Sequence, residues 1–221
     1  MGQHVGLCIP RWIDVEGVKN FRDIGGWPVK DGSGYIRERV VFRCGHLTDI
    51  TDQGIRTLQE LNVVAIFDFR SDMEINYHGG IREIPGTTYY ESAIFKDVDF
   101  SPENMGQTMG RFLEGTEGFI LVYLTMLEKA KDQYRKILLH MIEHHSRDTR
   151  DALIIHCTAG KDRTGLFCMM LLGLCGVDDE IIAREYALTN LGFWESEEDM
   201  RRKANRAGVP LEHMKAAMSA P

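Results

Sequence analysis

Cysteine is sparse and scattered in this chain. Cys8, Cys44, Cys157, Cys168 and Cys175 are five thiols in 221 residues, an odd number with no CxxC pair. Such usage argues against a disulfide framework and offers no zinc-site spacing. Reduced thiols in a cytoplasmic setting are therefore expected, with no metal and no cofactor. Long apolar runs are absent as well. No stretch approaches the ~20 residues that span a bilayer, so stable membrane insertion is not expected. The N-terminus has no basic-then-apolar secretory pattern, and Gly6 stands where a myristoylation signal needs Ser or Thr. Nor is there a surplus of positive charge: the formal net charge is -7, which disfavours nucleic acid as a partner. An anionic substrate must then be drawn by a few fixed groups.

What is present fits one domain over residues 1–221, and an apolar fraction of 43% can bury a sizeable core. Asn20–Gly34 is rich in glycine and turn formers and reads as an ordered loop or short hairpin. Arg39–Arg43 reads as a short strand. Thr51 caps a helix that carries Ile55, Leu58 and Leu61 on one face. Val63–Phe69 (VVAIFDF) suits a strand covered on both faces, and Thr87–Glu91 is a further strand. Residues 94–118 are expected to form a mobile lid. Gly118–His145 is a long helix whose buried stripe is expected at Ile120, Leu124, Leu127, Tyr134, Leu138 and Met141. Ala152–His156 (ALIIH) is a third buried strand. Arg163–Cys175 is apolar all round, so it belongs in the middle of the fold, with Cys168 and Cys175 as core residues. Gly176 ends that helix and Asp178 caps the next, with Val177 and Ile182 as a staple. Residues 194–221 carry two amphipathic helical patterns. Strands alternate with helices throughout, which gives an α/β fold: a central, mainly parallel sheet flanked by helices.

The chemistry concentrates at His156-Cys157-Thr158-Ala159-Gly160-Lys161-Asp162-Arg163-Thr164-Gly165, which runs from strand through tight loop to helix. Successive N–H groups of such a loop and a helix N-terminus make a concave anion site, here residues Thr158 to Arg163. The same field favours a thiolate at Cys157. Arg163 offers a planar fork for phosphoryl oxygens, and Gly160 and Gly165 permit sharp turning. Thr164 is placed to hydrogen-bond the Cys157 sulfur, and His156 to orient the loop. These parts imply attack by Cys157 on phosphorus, a phosphocysteine, and its hydrolysis by water.

HCTAGKDRTG closely resembles the signature of the protein tyrosine phosphatase superfamily, in particular an atypical bacterial and fungal branch of tyrosine and lipid phosphatases. Asn20-Phe21-Arg22-Asp23-Ile24-Gly25-Gly26, Phe42-Arg43 (with Cys44 in place of the usual serine) and Asp68-Phe69-Arg70 resemble further motifs of that branch, so the likeness runs over residues 17–193. A further short helix after Pro221 would be expected by that resemblance. It implies phosphorylated protein or phosphoinositide substrates and names the loop aspartate, Asp162, as general acid. Asp68 is the second candidate, Asp97 and Asp99 the third. Arg22 and Asp23 are expected to tie the N-terminal loop to the domain. Lys161 occupies a position where phosphoinositide phosphatases also carry lysine, but Thr158 stands where those enzymes have a second one. Two other classes remain: a phosphate-binding adaptor without turnover, which need not keep both Cys157 and Arg163, and a thiol-redox or sulfurtransferase protein, which would not need the Arg163-Thr164-Gly165 ending and for which no second cysteine lies close in sequence; Cys44 close to Cys157 in space would make the enzyme reversibly oxidisable.

Overall fold

The computed structural model describes residues 11–95, 111, 114–145, 149–192 and 195–219. A five-stranded sheet is built from β1 (Arg22–Asp23), β2 (Val41–Cys44), β3 (Val63–Asp68), β4 (Thr88–Glu91) and β5 (Ala152–His156), in the order β1-β2-β5-β3-β4. Only β1 pairs antiparallel; β2, β5, β3 and β4 run parallel. The expected mainly parallel α/β sheet is therefore what forms. Strand β5 is central, and every residue of it is buried. Its side chains alternate between two cores, as strand geometry requires. Leu153 and Ile155 enter one core with Phe67 and Phe69, while Ala152 and Ile154 enter the other with Phe42 and Leu58.

Helix α1 (Asp52–Glu60) covers one face, its first turn capped by Thr51, whose hydroxyl accepts from Gly54 N–H. Helix α2 (Asp72–His78) opens with a full capping box between Ser71 and Glu74. The opposite face holds α3 (Thr116–His144) and α4 (Asp162–Leu174). Phe69, Tyr134 and Phe167 meet there, with Tyr134 and Phe167 rings 5.1 Å apart. Then come α5 (Asp179–Ala187), capped by Asp178 as expected, the short α6 (Thr189–Gly192), and a pair, α7 (Glu197–Ala207) and α8 (Leu211–Met218), that closes a small core of its own around Ala204 and Met214. No helix among the described residues is long and apolar enough to cross a membrane.

Two expectations are corrected here. The first half of α3 buries Gly118, Val122, Met126 and Ala130, whereas Ile120 and Leu124 are 52% and 57% exposed. Apolar residues occur on both sides of this part of the helix, so spacing alone did not select the packed face; Tyr134 is buried as expected. Cys175 is exposed rather than core, because α4 emerges from the fold at its C-terminal end beside Leu174, while Cys168 is buried. The expected lid lies mostly outside the described residues, as do Asp97 and Asp99; at its edges Ile94 is buried in the main core and residues 116–118 already belong to α3.

Phe167 is fully buried at the junction of α3, α4 and the sheet. Phe167→Ala should cost about 3–5 kcal/mol, read as a lowered denaturant midpoint at unchanged slope.

Candidate active site

Strand β5 ends at His156, and the next five residues turn into α4, so Cys157–Lys161 sit at the carboxyl edge of the sheet between two parallel neighbours. Open α/β sheets hold ligands at this edge. Gly160 adopts φ +66, and a Cβ there would lie 2.1 Å from the Cys44 carbonyl oxygen, so only glycine fits. Gly165 is equally confined: a Cβ would lie 2.7 Å from the Tyr186 ring.

The loop is held by its carbonyls. Thr158 O accepts from His46 N–H at 3.1 Å. Ala159 O and Gly160 O accept from Asn20 Nδ2 at 3.0 and 3.2 Å. Gly160 O and Lys161 O also accept from Arg43 Nη2 at 2.7 and 3.3 Å. With its carbonyls turned outward in this way, the loop leaves the N–H groups of Thr158, Ala159 and Gly160 without an acceptor among the described residues. Those amides are the donors an anion would use.

Asn20 and Arg43 are themselves fixed by a fully buried ion network. Glu185 of α5 accepts from Arg22 Nε at 2.8 Å and from Arg43 Nη1 at 2.5 Å, with all three side chains at 0% exposure. Arg22 also donates to Asn20 Oδ1 and to Thr189 Oγ1. Burial alone would raise the Glu185 carboxyl, but the two guanidiniums hold it below its ordinary value. Asp23 accepts from Gly25 N–H and Arg39 N–H, so Arg22 and Asp23 do tie the N-terminal segment to the body of the fold.

Around the cradle, Cys157 is 3% exposed. Arg163 donates Nη1 to Phe69 O (3.1 Å) and to Glu74 Oε2 (2.7 Å), and Nη2 to Glu74 Oε1 (2.6 Å). Thr158 Oγ1 donates to the same Glu74 Oε1 at 2.6 Å. Burial would raise Glu74, yet Arg163 and Thr158 bring its carboxyl down to about 2. Glu74 was not picked out from sequence, although Ser71-x-x-Glu74 is a legible capping box. Tyr134 OH donates to Arg163 O at 2.7 Å, and packing fixes that ring as well.

Asp162 stands first in α4. Tyr123 OH donates to its Oδ1 at 2.8 Å, Tyr186 OH bonds Tyr123 OH in turn, and Lys161 Nζ lies 3.3 Å away. Burial and the neighbouring Asp162 carboxylate push the Tyr123 hydroxyl upward. Lys161 is not solvent-facing: its side chain is 2% exposed, and Nζ donates to Ser219 O at 2.8 Å. Asp68 is fully buried, accepting from Arg70 Nε and Nη2 and from Tyr89 OH. Burial opposes charge there, but the His156 ring and the Arg70 guanidinium hold its carboxyl below the usual range, which suits a support and not a proton donor. His156 places Nδ1 3.2 Å from Cys157 O and Nε2 3.5 Å from Asp68, and burial lowers its pKa. Thr164 departs from expectation. Its hydroxyl is buried inside the first turn of α4 and meets neither the Cys157 sulfur nor any other partner among the described residues. Cys44, paired with His156 in the β2–β5 register, is buried, and desolvation together with Cys157 and Asp68 pushes its thiol well up. Among the described residues no cluster of His, Cys, Asp or Glu forms a metal site.

The sequence matches the model of the "Tyrosine phosphatase family" over residues 13–220. It is 25% identical over 202 residues to the triple specificity protein phosphatase PtpB of Mycobacterium tuberculosis, covering 80% of this chain and 68% of that one. Over 186 residues it is 25% identical to a Cupriavidus necator protein provisionally named a tyrosine-protein phosphatase, covering 78% of this chain and 61% of that one. The P. aeruginosa protein TpbA, crystallised in complex with pTyr, aligns over 83% of this chain and 88% of its own at 17% identity, with a TM-score of 0.34, a likeness too slight to bear on the fold.

Glu185→Ala should leave two buried guanidiniums without a counterion and cost about 3–5 kcal/mol in urea unfolding. Acid should act through Glu74. Because folding depresses this carboxyl from 4.5 to about 2, its pairing contributes full stability above pH ~4.5 and loses it as pH falls toward 2. Glu74→Gln should therefore flatten the acid limb of stability against pH between about pH 5 and pH 3, measured by denaturant titration.

Proposed function

This chain belongs to the tyrosine phosphatase family, and we propose that it hydrolyses phosphotyrosine esters through a phosphocysteine on Cys157. The observation that carries the reading is the cradle itself. Around Cys157, three loop amides stand without acceptors among the described residues, and Arg163 reaches the same edge from α4. In the first step the Cys157 thiolate attacks phosphorus, the P–S bond forms and the P–O bond to the leaving group breaks. The loop amides and Arg163 hold the equatorial oxygens as charge redistributes. Asp162, first residue of α4 and steadied by Tyr123, protonates the departing oxygen. In the second step water attacks the thiophosphate, its proton passes to Asp162, and phosphate leaves with the thiolate restored.

Tyrosine esters are favoured over inositol phosphates by the position of Lys161. That ammonium is already engaged by Ser219 O and Asp162, so it is not presented to a second phosphate. Action on phosphoserine and phosphothreonine, as a dual-specificity enzyme, is a further part of the proposal, supported by the name of the relative PtpB. The free thiols of Cys44, Cys157 and Cys168 fit a reducing, cytoplasmic setting.

The test is turnover with chelator present on phosphotyrosine, phosphoserine and soluble phosphoinositide substrates. Wild type should release phosphate fastest from phosphotyrosine, and Cys157→Ser should abolish release. Asp162→Ala should lose about 10²–10⁴-fold on alkyl esters and much less on esters of acidic phenols, because only the former need a proton. Tight binding of phosphopeptide by wild type without phosphate release would replace the enzyme with an adaptor.

A further inference from the structure

A line of two phenols runs from α5 through α3 to the carboxyl group of Asp162. Tyr123 OH donates to Asp162 Oδ1 at 2.8 Å, and Tyr186 OH bonds Tyr123 OH in turn. A hydroxyl has one hydrogen to give. With that of Tyr123 on Asp162, Tyr186 must be the donor to Tyr123. The reverse order, from Asp162 to Tyr123 to Tyr186, would leave the Tyr186 hydrogen with no acceptor among the described residues, in a residue only 4% exposed. Buried polar hydrogens are rarely left so. The chain of hydrogen bonds therefore points at Asp162.

Both rings are held by packing. Tyr186 lodges against Gly165 of α4, where a Cβ would lie 2.7 Å from its ring, and Tyr123 meets Tyr186 edge-on with centroids 6.3 Å apart. Burial and the Asp162 carboxylate push both hydroxyls above the ordinary phenol range, so each stays a donor. The other charged or titratable groups around Asp162 are Lys161 and Cys157 of the loop and Arg163 of α4, with Arg43 behind Tyr186. Lys161 Nζ also faces Oδ1, at 3.3 Å. These contacts all fall on one oxygen, and Oδ2 has no partner among the described residues.

A hydrogen bond donated to a carboxylate favours its charged form, and a phenol that itself accepts one donates more strongly. In the reaction above Asp162 gives a proton in the first step and takes one in the second. The phenol chain aids the second at some expense to the first. We infer that Tyr186 and Tyr123 are positioning residues for the hydrolysis of phosphocysteine: they keep Asp162 ready as the base of that step, with Oδ2 left to receive the proton. Water oxygen then bonds phosphorus, the P–S bond breaks to return the Cys157 thiolate, and the water proton goes to Oδ2. The inference rests on the phosphatase reading, with Asp162 as its acid and base, and deepens it.

The ester para-nitrophenyl phosphate separates this role from mere bracing, because its acidic phenol leaves without a proton. Rapid mixing with the full chain would time the first turnover and those after it. Tyr123→Phe should leave the first release of nitrophenol unchanged and slow later turnovers about 10-fold, the scale of one lost hydrogen bond to a charged group. On a phosphotyrosine peptide its kcat/KM should hold to higher pH. A carboxyl that loses a donor keeps its proton longer, so the basic limb should move up by about one unit. Tyr186→Phe should act in the same direction and add little in the Tyr123→Phe background, where the chain is already cut. First and later turnovers slowed alike, with the basic limb unmoved, would overturn the proposal in favour of a brace between helices. So would a Tyr186→Phe effect that adds in full to that of Tyr123→Phe. An Asp162→Asn variant that keeps the wild-type basic limb would remove Asp162 as the acid, and wild type that releases no nitrophenol would sink the phosphatase reading itself.

Discussion

Everything at the active edge depends on one buried carboxylate between two buried guanidiniums. Glu185 joins Arg22 and Arg43 with no solvent access for any of the three. Such a network is a poor source of stability, since desolvation consumes much of the Coulombic gain. Its value here is geometric. Arg43 has one Nη on Glu185 and the other on Gly160 O, and Arg22 fixes the Asn20 amide that grips Ala159 O and Gly160 O. Three elements far apart in sequence are thereby made to hold one turn of backbone with its carbonyls outward.

The cradle that results has two differently built sides. On one, Arg163 is oriented by Glu74 and by the Phe69 carbonyl. On the other, Asp162 is oriented by Tyr123, which leans on Tyr186 of α5. The α5 helix therefore serves both the floor, through Glu185, and the Asp162 side, through Tyr186, whose ring also packs where Gly165 leaves room. Beneath them, Asp68 and His156 end adjacent strands in register and support the point where β5 becomes loop.

Much of this was legible from residue patterns. The buried strand, the glycine-bearing loop and the apolar helix after it are local features, and each forms where its pattern says. Asn20, Arg22 and Arg43 were recognisable as motif residues, but their target was not. Glu185 lies 163 positions from Arg22, and no motif or spacing in its helix marks it as the partner of two arginines. Glu74 was hidden for a similar reason, its signal being that of a helix cap. Periodicity misjudged α3 because apolar side chains ring its first half, and it misjudged Cys175 because an all-apolar pattern does not tell where a helix leaves the core. Thr164 shows the limit of reasoning by offset: a position next to the arginine fixes a residue in the helix but not the direction of its hydroxyl.

The acidic character of the chain and its fit to an anion can now be reconciled in terms of range. Most cations at the edge are already matched, Arg163 by Glu74, Lys161 by Asp162 and Arg70 by Asp68, while Arg22 and Arg43 share the one carboxylate of Glu185. Seen from beyond about 10 Å, the Debye length at moderate salt, these pairs largely cancel. The attraction that remains comes from peptide dipoles at contact distance. A phosphoester thus meets this protein with little long-range attraction; the net charge of -7 repels it until salt screens that field, and selectivity begins only once the ester has reached the loop.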